Sequence, residues 1–391
     1  MTLSCRSSII KYMDDLITKV VRNAKDIAPE AWNAVFPDGM ESHNYFKLID
    51  ESGFEGFLFY YIMICKEDDV VGIAPCFILN YPLDTTMGGL PKEIMAGIRK
   101  LLPALFTLKG LFCGSPIGEG KIGIVGHYRR EAMDALLRGM EDLAKKENAP
   151  VLIFKDFFAE YKNVLDPAVG EGFFKVNSYP SVRIGIDFNS FDEYLKTLSA
   201  ASRYDLRRKF KQTDKLAALD LDIADNADGI IDEIYGLYLQ TYSKSKIKWG
   251  EIPKKFFAGI SRHMKEKVRY FLWRINGKLV AFNLCLSYDD SLVSMYIGLD
   301  YSVAYKYYLY FTTFRDQINW CIQNNIKTFH SGEFAYEAKR RLGFSLVPKY
   351  YYVKHVNRLV NPFFKVLCFA LKPGNFDKAL KESASKQAYS A

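Results

Sequence analysis

Residues 268–286, VRYFLWRINGKLVAFNLCL, decide the fold of the second half of the chain. Two apolar runs flank Asn276-Gly277, and both of these residues tolerate a positive φ, so the pattern predicts a tight β-hairpin. A polar turn at 288–291 leads into a third apolar run at 292–299. The stretch therefore predicts a meander of three antiparallel strands.

The same order of elements occurs in both halves of the sequence. Behind the meander, apolar residues at three- and four-residue steps predict a helix over 304–323, followed by a strand at 326–330. The first half has strands at 57–65 and 70–79, a helix near 132–146 and a strand at 150–155. We therefore expect an internal duplication, with domains at 1–188 and 189–391.

Composition limits the class of protein. The 391 residues are 49% hydrophobic and 25% charged, which fits two globular domains and excludes a disordered chain. A net charge of +8 fits an anionic ligand or surface without requiring one. Seven scattered cysteines without a C-x-x-C pair, no signal-peptide pattern and no apolar run of about 18 residues predict a reduced, cytoplasmic protein.

Residues 330–344, HSGEFAYEAKRRLGF, are the most informative segment for function. Gly332 follows a predicted strand and gives a turn at which backbone N–H groups can face a ligand. Tyr336 and Lys339 are three residues apart, so they share one face of the short helix that follows. Gly343 suits the left-handed end of that helix.

This segment resembles the FemAB-like branch of the GNAT acyltransferases, whose Y-x-x-K-x-x-L-G-F element is matched here from Tyr336 to Phe344. The arginine-bearing helix at 202–208 and the opening segment with Trp32 and 42–51 resemble the same family, so the likeness covers nearly the whole chain. It implies an α+β protein of two GNAT-like (acyl-CoA N-acyltransferase) domains, each with a mixed, mostly antiparallel sheet flanked by helices.

The resemblance implies transfer of an acyl or aminoacyl group from an activated carrier to an amine, without a covalent enzyme intermediate. Such chemistry needs a group that takes the amine proton, a donor for the leaving group and backbone donors that polarise the carbonyl. Our candidates for catalysis are Glu333 as the base, Tyr296 as a proton donor and Tyr336. Candidates for substrate binding are Asn283, His330, Lys339, Arg203 and Arg207.

Each candidate also has a structural interpretation. The helix that bears Arg203 and Arg207 is most simply a solvated basic face, although two arginines one turn apart can also fork onto one phosphate. Glu333 can stabilise a helix N-terminus through the dipole. Tyr336 and Lys339 can tie the last helix to the sheet.

The donor is left open by the sequence. GNAT enzymes that use coenzyme A usually carry a glycine-rich turn before the long helix, whereas residues 301–307 contain no glycine. The resemblance implies an acyl-CoA or acyl carrier protein thioester as co-substrate, or alternatively an aminoacyl-tRNA that serves a cell-wall precursor. The missing glycines indicate a donor that is held differently, for example as acyl carrier protein or aminoacyl-tRNA. The third hypothesis is that the protein is a non-catalytic binding module that has kept the fold and lost the donor site. The glycine-rich residues 114–120 miss the P-loop spacing, and no His/Cys pattern predicts a metal.

The expected partner is a small-molecule or lipid-linked amine, and the resemblance also admits an acyl carrier protein. Nucleic acid is not expected, tRNA excepted. The apolar segment 359–372, flanked by Arg358 and Lys372, fits either a terminal helix packed on the body, which we favour, or a peripheral membrane contact.

Overall fold

A computed structural model describes residues 10–11, 16–36, 39–82, 107–216, 218–245, 250–375, 377 and 379–381. The chain forms two compact units. The first unit contains residues 1–50, 54–179 and 348–391, and the second contains 51–53 and 180–347. This division differs from the single boundary expected after residue 188, because the end of the chain adds a strand to the first sheet.

The strands, numbered along the chain, are β1 (Ile10–Lys11), β2 (Leu16–Val21), β3 (Leu58–Lys66), β4 (Asp69–Pro82), β5 (Thr107–Cys113), β6 (Gly123–Ile124), β7 (Val151–Phe158), β8 (Phe174–Asn177), β9 (Ser181–Gly185), β10 (Asp220–Ala224), β11 (Val268–Ile275), β12 (Lys278–Tyr288), β13 (Ser291–Leu299), β14 (Thr328–Ser331), β15 (Ser345–Val347) and β16 (Lys349–His355). The α-helices are α1 (Pro29–Val35), α2 (His43–Glu51), α3 (Arg129–Lys146), α4 (Lys162–Gly170), α5 (Phe191–Thr197), α6 (Ala200–Thr213), α7 (Ile231–Lys244), α8 (Lys254–Met264), α9 (Leu309–Gln323), α10 (Tyr336–Arg341) and α11 (Asn361–Ala370).

Seven neighbouring strands of the first sheet have the same topology as the seven strands of the second, and the first sheet contains β1 and β6 in addition. The first runs β1-β2-β3-β4-β5-β7-β16-β8, with β6 also paired to β4, and the second runs β10-β11-β12-β13-β14-β9-β15. In each sheet the strand pairs are antiparallel except one, which is β5–β7 in the first and β13–β14 in the second. The strand beside the edge is β16 in the first sheet and β9 in the second, so each comes from the opposite half of the sequence. The predicted α+β class and the duplicated architecture are confirmed.

The hairpin that decides the fold forms as predicted. Strands β11 and β12 pair antiparallel, and Asn276 and Gly277 between them have φ values of 49° and 79°. The helix expected over 304–323 starts later, at Leu309. The Asp300 carboxylate accepts hydrogen bonds from the backbone and side chain of Ser302, which holds the preceding residues in turns.

In the first sheet, the segment that follows β5 fills the space beyond the parallel pair β5–β7. Pairing between β5 and β7 reaches Cys113 and Phe154. The Gly120 amide then donates to the Asp156 carbonyl over 3.0 Å, so residues 114–120 lie along the continuation of β7. The Lys155 ammonium donates to the Gly118 carbonyl over 3.3 Å and holds this segment in place. The glycine-rich residues therefore serve packing in this unit.

Gly120 is required by this close approach. A Cβ at this position would lie 2.1 Å from the Lys155 carbonyl oxygen and 2.5 Å from the ring of Phe157. We expect Gly120→Ala to lower the free energy of unfolding by about 2 kcal/mol or more, because overpacking against backbone forces a shift of the main chain.

Urea unfolding monitored by circular dichroism measures the effect. Gly126→Ala is the matched control, since a Cβ there meets nothing within 4 Å. Equal stability of the two variants would contradict the close packing of residues 114–120 against β7.

Candidate functional site

Strands β13 and β14 of the second unit separate part-way along their length. Their parallel register runs from Ser291 opposite Thr328 to Ser294 opposite Ser331 and ends there. Strand β13 continues to Leu299, whereas β14 ends at Ser331 and the segment after it turns at Gly332. Among the residues that the structure describes, no strand pairs with 295–299 on this side. The divergence leaves an opening between the end of β13 and the turn at Gly332, and at the far end of β13 the Leu299 amide donates to the Thr241 hydroxyl over 3.1 Å.

Tyr296 lies on one side of this opening, two positions beyond Ser294. Tyr296 pairs with Leu284 and Ser294 pairs with the next residue of β12, Cys285, so Met295 is the extra residue of a bulge in β13. The half-buried Tyr296 ring contacts three aromatic rings of helices α7 and α8, at centroid distances between 5.6 and 5.9 Å; these belong to Tyr238, Phe256 and Phe257.

Glu333 lies on the other side, two positions beyond Ser331. The turn that carries it includes two non-glycine residues with left-handed backbones, Phe334 at φ 67° and Ala335 at φ 51°. Such conformations cost free energy and need support from their surroundings. The Lys339 ammonium supplies it by donating to the carbonyls of Gly332 and Glu333, over 2.7 and 3.2 Å.

Lys339 is almost completely buried, with 5% of its surface exposed. Burial lowers the pKa of this ammonium from its ordinary value of 10.5 to about 7, and the Glu333 carboxylate opposes that shift. The Lys339 ammonium therefore stabilises the turn, and its charge changes near neutral pH.

One face of helix α10 packs against the unit, and the other face lines a cavity. Tyr336 is buried, and its hydroxyl donates to the Pro180 carbonyl over 2.9 Å, so with Lys339 it fixes the inner face. The outer face opens into a cavity of about 620 Å³. Its lining comes from the end of α5, the connection to α6, the first turns of α6, helix α10 and the turn after α10: Thr197, Leu198, Ser199, Ala201, Ser202, Asp205, Glu337, Arg340, Arg341 and Gly343.

Opposite charges pair within this cavity. The Glu337 carboxylate accepts hydrogen bonds from Arg340 (2.7 Å) and Arg341 (3.2 Å), and these lower its pKa. Burial alone would raise the pKa of Asp205, but hydrogen bonds from Lys209 and Arg208 bring it below its ordinary value. The cavity thus presents two carboxylates and two guanidinium groups that remain charged at neutral pH.

Arg203 and Arg207 each have a local acceptor in the structure. The Arg203 guanidinium donates to the Lys196 and Leu198 carbonyls, each over 3.3 Å, and so it satisfies the end of α5. Arg207 is exposed and lies 3.7 Å from Asp192. Sequence spacing places the two arginines one turn apart, but each has a local acceptor of its own.

Asn283 belongs to the interior of the second unit. Its side chain is 1% exposed, accepts a hydrogen bond from the Ser294 hydroxyl over 2.9 Å and donates to Gln317 over 3.4 Å. These contacts give it the role of a satisfied core residue beneath the opening. His330 is half-buried on β14, opposite Arg183 of β9, and precedes the separation of the strands.

The turn before α9 already uses many of its own amides. The Tyr301 amide donates to the Gln240 side chain over 3.2 Å and the Ser302 amide to the Asp300 carboxylate over 3.0 Å. The amides of Val303 and Ala304 donate to the Asp300 carbonyl. The turn therefore lacks the row of available N–H groups that a pyrophosphate needs at this place.

Two further observations concern other kinds of site. Within the described ranges, no three His, Cys, Asp or Glu side chains lie close enough together to hold a metal ion. In the same ranges, no helix combines the length and the apolar character needed to cross a membrane.

The lowered pKa of Lys339 makes stability depend on pH in a defined direction. Between pH 7 and about 10 the unfolded chain binds this proton more firmly than the folded chain, so raising the pH stabilises the fold by up to about 1.4 kcal/mol per unit. We expect Lys339→Met to remove this part of the slope.

Urea unfolding at several pH values between about 7 and 9 measures the slope. Lys211→Met, which removes an exposed lysine of α6, should keep the dependence of the native chain. A Lys339→Met slope equal to the native one would show that the buried ammonium titrates normally.

Comparison with known proteins agrees with this architecture. The model of the FemAB-like family, described as peptidoglycan biosynthesis/recognition, matches residues 113–365. The structure of FemX aligns with a TM-score of 0.54 at 12% identity, covering 88% of this chain and 98% of FemX. The C-terminal domain of a putative lysylphosphatidylglycerol synthetase from Agrobacterium fabrum gives 0.54 at 10% identity, covering 90% and 98%. A tandem GNAT protein from the clavulanic acid biosynthesis pathway gives 0.51 at 11%, covering 88% and 99%.

Two curated relatives are much longer than the matched region. Both are called putative 8-amino-7-oxononanoate synthase 2, from two strains of Mycobacterium tuberculosis, and are 23% identical over 328 residues. The match covers 82% of this chain but 42% of each relative, so the chain spans less than half of their length. The family match and the duplicated sheets lead to one conclusion: the chain belongs to the FemAB-like family and has a tandem GNAT-like fold.

Proposed function

We propose that the second unit transfers an acyl or aminoacyl group from an activated carrier to an amine. The observation that carries this proposal is the separation of β13 and β14 beyond Ser294 and Ser331. It leaves residues 295–298 without a strand partner on that side, with Tyr296 on one side of the opening and Glu333 on the other, while the Leu299 amide is bonded to Thr241. The corresponding place in the first unit is filled by residues 114–120, which favours the second unit as the catalytic one.

The reaction proceeds in this proposal by direct attack. The neutral amine nitrogen forms a bond to the donor carbonyl carbon, and the carbon–sulfur or carbon–oxygen bond to the carrier then breaks. Glu333 accepts the proton that leaves the nitrogen, and Tyr296 gives a proton to the departing thiolate or alkoxide. Water returns the proton from Glu333 to Tyr296. Backbone N–H groups of β13 stabilise the negative charge that develops on the carbonyl oxygen.

The donor in this proposal is attached to a macromolecular carrier. The internally hydrogen-bonded turn before α9 argues against a pyrophosphate held there in the manner of coenzyme A. An acyl carrier protein or a tRNA brings its own binding surface and does not depend on this turn. The FemAB-like family assignment supports tRNA as a second candidate, with a cell-wall precursor as acceptor.

The acceptor is a primary amine. The cavity beside α10 suits a polar acceptor, because Arg340 and Arg341 can bind a carboxylate or phosphate while Asp205 and Glu337 can bind the ammonium form before it loses its proton. The relative named 8-amino-7-oxononanoate synthase takes its name from an amino ketone. Amino ketones therefore belong in the first panel of acceptors.

We expect Glu333→Gln to lower kcat by about a hundredfold or more while changing KM little, because the amide keeps the shape of the side chain but cannot accept the proton. Tyr296→Phe should lower kcat by about tenfold or more, since water can replace the lost donor in part. Single-turnover mass spectrometry of the acylated amine measures both rates.

Glu266→Gln, an exposed carboxylate of the same unit, is the matched control and should keep the native rate. Acetyl-CoA, acyl carrier protein thioesters and aminoacyl-tRNA should each be offered as donor to the native chain. Unchanged turnover in Glu333→Gln would remove the base assignment. Failure of all three donor classes to bind would favour a non-catalytic binding module.

A further inference from the structure

Helix α11 near the end of the chain is firmly attached to the first unit. The Asn361 side chain accepts a hydrogen bond from the His355 amide over 2.8 Å and donates to the Gly172 carbonyl over 2.8 Å. Phe364 on the inner face is 6% exposed, and its ring lies 6.3 Å from that of Phe174 and 5.8 Å from that of His355. This confirms the packed terminal helix, and it fixes which side of the helix faces outward.

The outward side is apolar as well. Leu359, just before the helix, is 82% exposed, Phe363 is 78% exposed and Val366 is 70% exposed. With Phe369 (42%), these residues follow one another at steps of four, three and three, so they form a continuous stripe. Single apolar residues on a surface are ordinary, but a continuous exposed apolar stripe on a helix that is packed against the unit indicates an interaction surface.

The charged residues of this part of the sequence all have one sign. From residue 350 to residue 376 the sequence contains no Asp or Glu, while it contains Lys354, Arg358, Lys365 and Lys372. Lys354 is paired with Glu141. Among the described residues, the exposed Arg358 and Lys365 form no ion pair, so their charges are available to an external anion.

We propose that this apolar stripe, bordered by Arg358 and Lys365, docks the first unit on the surface of an anionic lipid bilayer. The aromatic and aliphatic side chains enter the boundary between headgroups and acyl chains, and the basic residues contact lipid phosphates. A second copy of the chain fits this surface less well. A two-fold contact through the stripe would bring Arg358 and Lys365 toward the same residues of the partner, where like charges repel.

Sedimentation with lipid vesicles tests the proposal on the full chain, independently of turnover and of the proposed function. We expect binding to phosphatidylcholine vesicles that contain about one third phosphatidylglycerol, with much weaker binding to pure phosphatidylcholine. Raising the salt from about 0.1 M to about 0.5 M should reduce the binding. The double substitution Phe363→Ser with Val366→Ser should weaken it by about tenfold or more, because two inserted side chains are lost.

Val169→Ser is the matched control, since it removes an apolar side chain of the same unit that is 47% exposed but lies outside the stripe. Phe363→Trp gives an independent readout, as its fluorescence should shift to the blue when the ring leaves water. Failure of the native chain to bind the anionic vesicles, or undiminished binding by the double variant, overturns the proposal. So does a native dimer in sedimentation equilibrium that the double variant converts to monomer.

Discussion

The end of the parallel ladder between β13 and β14 is the constraint on which the site depends. Every buried backbone N–H and C=O needs a partner, and a strand that loses its neighbour must find another. Here the loss begins beyond Ser294 and Ser331 and coincides with a bulge on the opposite edge of β13. The same few residues thus open the sheet and direct Tyr296 toward the aromatic side chains of α7 and α8.

Comparison of the two duplicated units shows why the end of the parallel pair forms an opening in one of them and not in the other. Both sheets have a run of antiparallel strands, β1 to β5 in the first and β10 to β13 in the second, next to one parallel pair, so both can open at the same place. In the first unit, two glycines let the chain after β5 return against the carbonyls of β7, and the opening is filled. In the second unit the chain after β13 leads directly through turns into α9. The two units therefore share a fold but differ at the end of their parallel pair.

The sequence predicts what local chemistry determines. Asn276-Gly277 specifies a turn by backbone preference alone, and apolar periodicity shows the helices and most strands. The placement of β9 and β16 in their sheets is not predicted, because strand exchange depends on pairing between distant segments. The acceptors of Arg203 and Arg207 are not predicted for a related reason: nearby carbonyls and Asp192 contact the guanidinium groups, and sequence spacing does not reveal such acceptors. The sequence pattern does not single out Arg340 and Arg341 as cavity residues, although two adjacent arginines after the Y-x-x-K pattern are a visible signal.

The central claim is that group transfer takes place where β13 and β14 separate. Crystallography with a stable donor analogue, in which the reactive ester or thioester is replaced by an inert linkage, locates the site most directly. The account predicts density for the analogue's carbonyl between residues 295–299 and the Gly332–Glu333 turn, within hydrogen-bonding distance of a β13 amide. Density beside residues 114–120 of the first unit would contradict it.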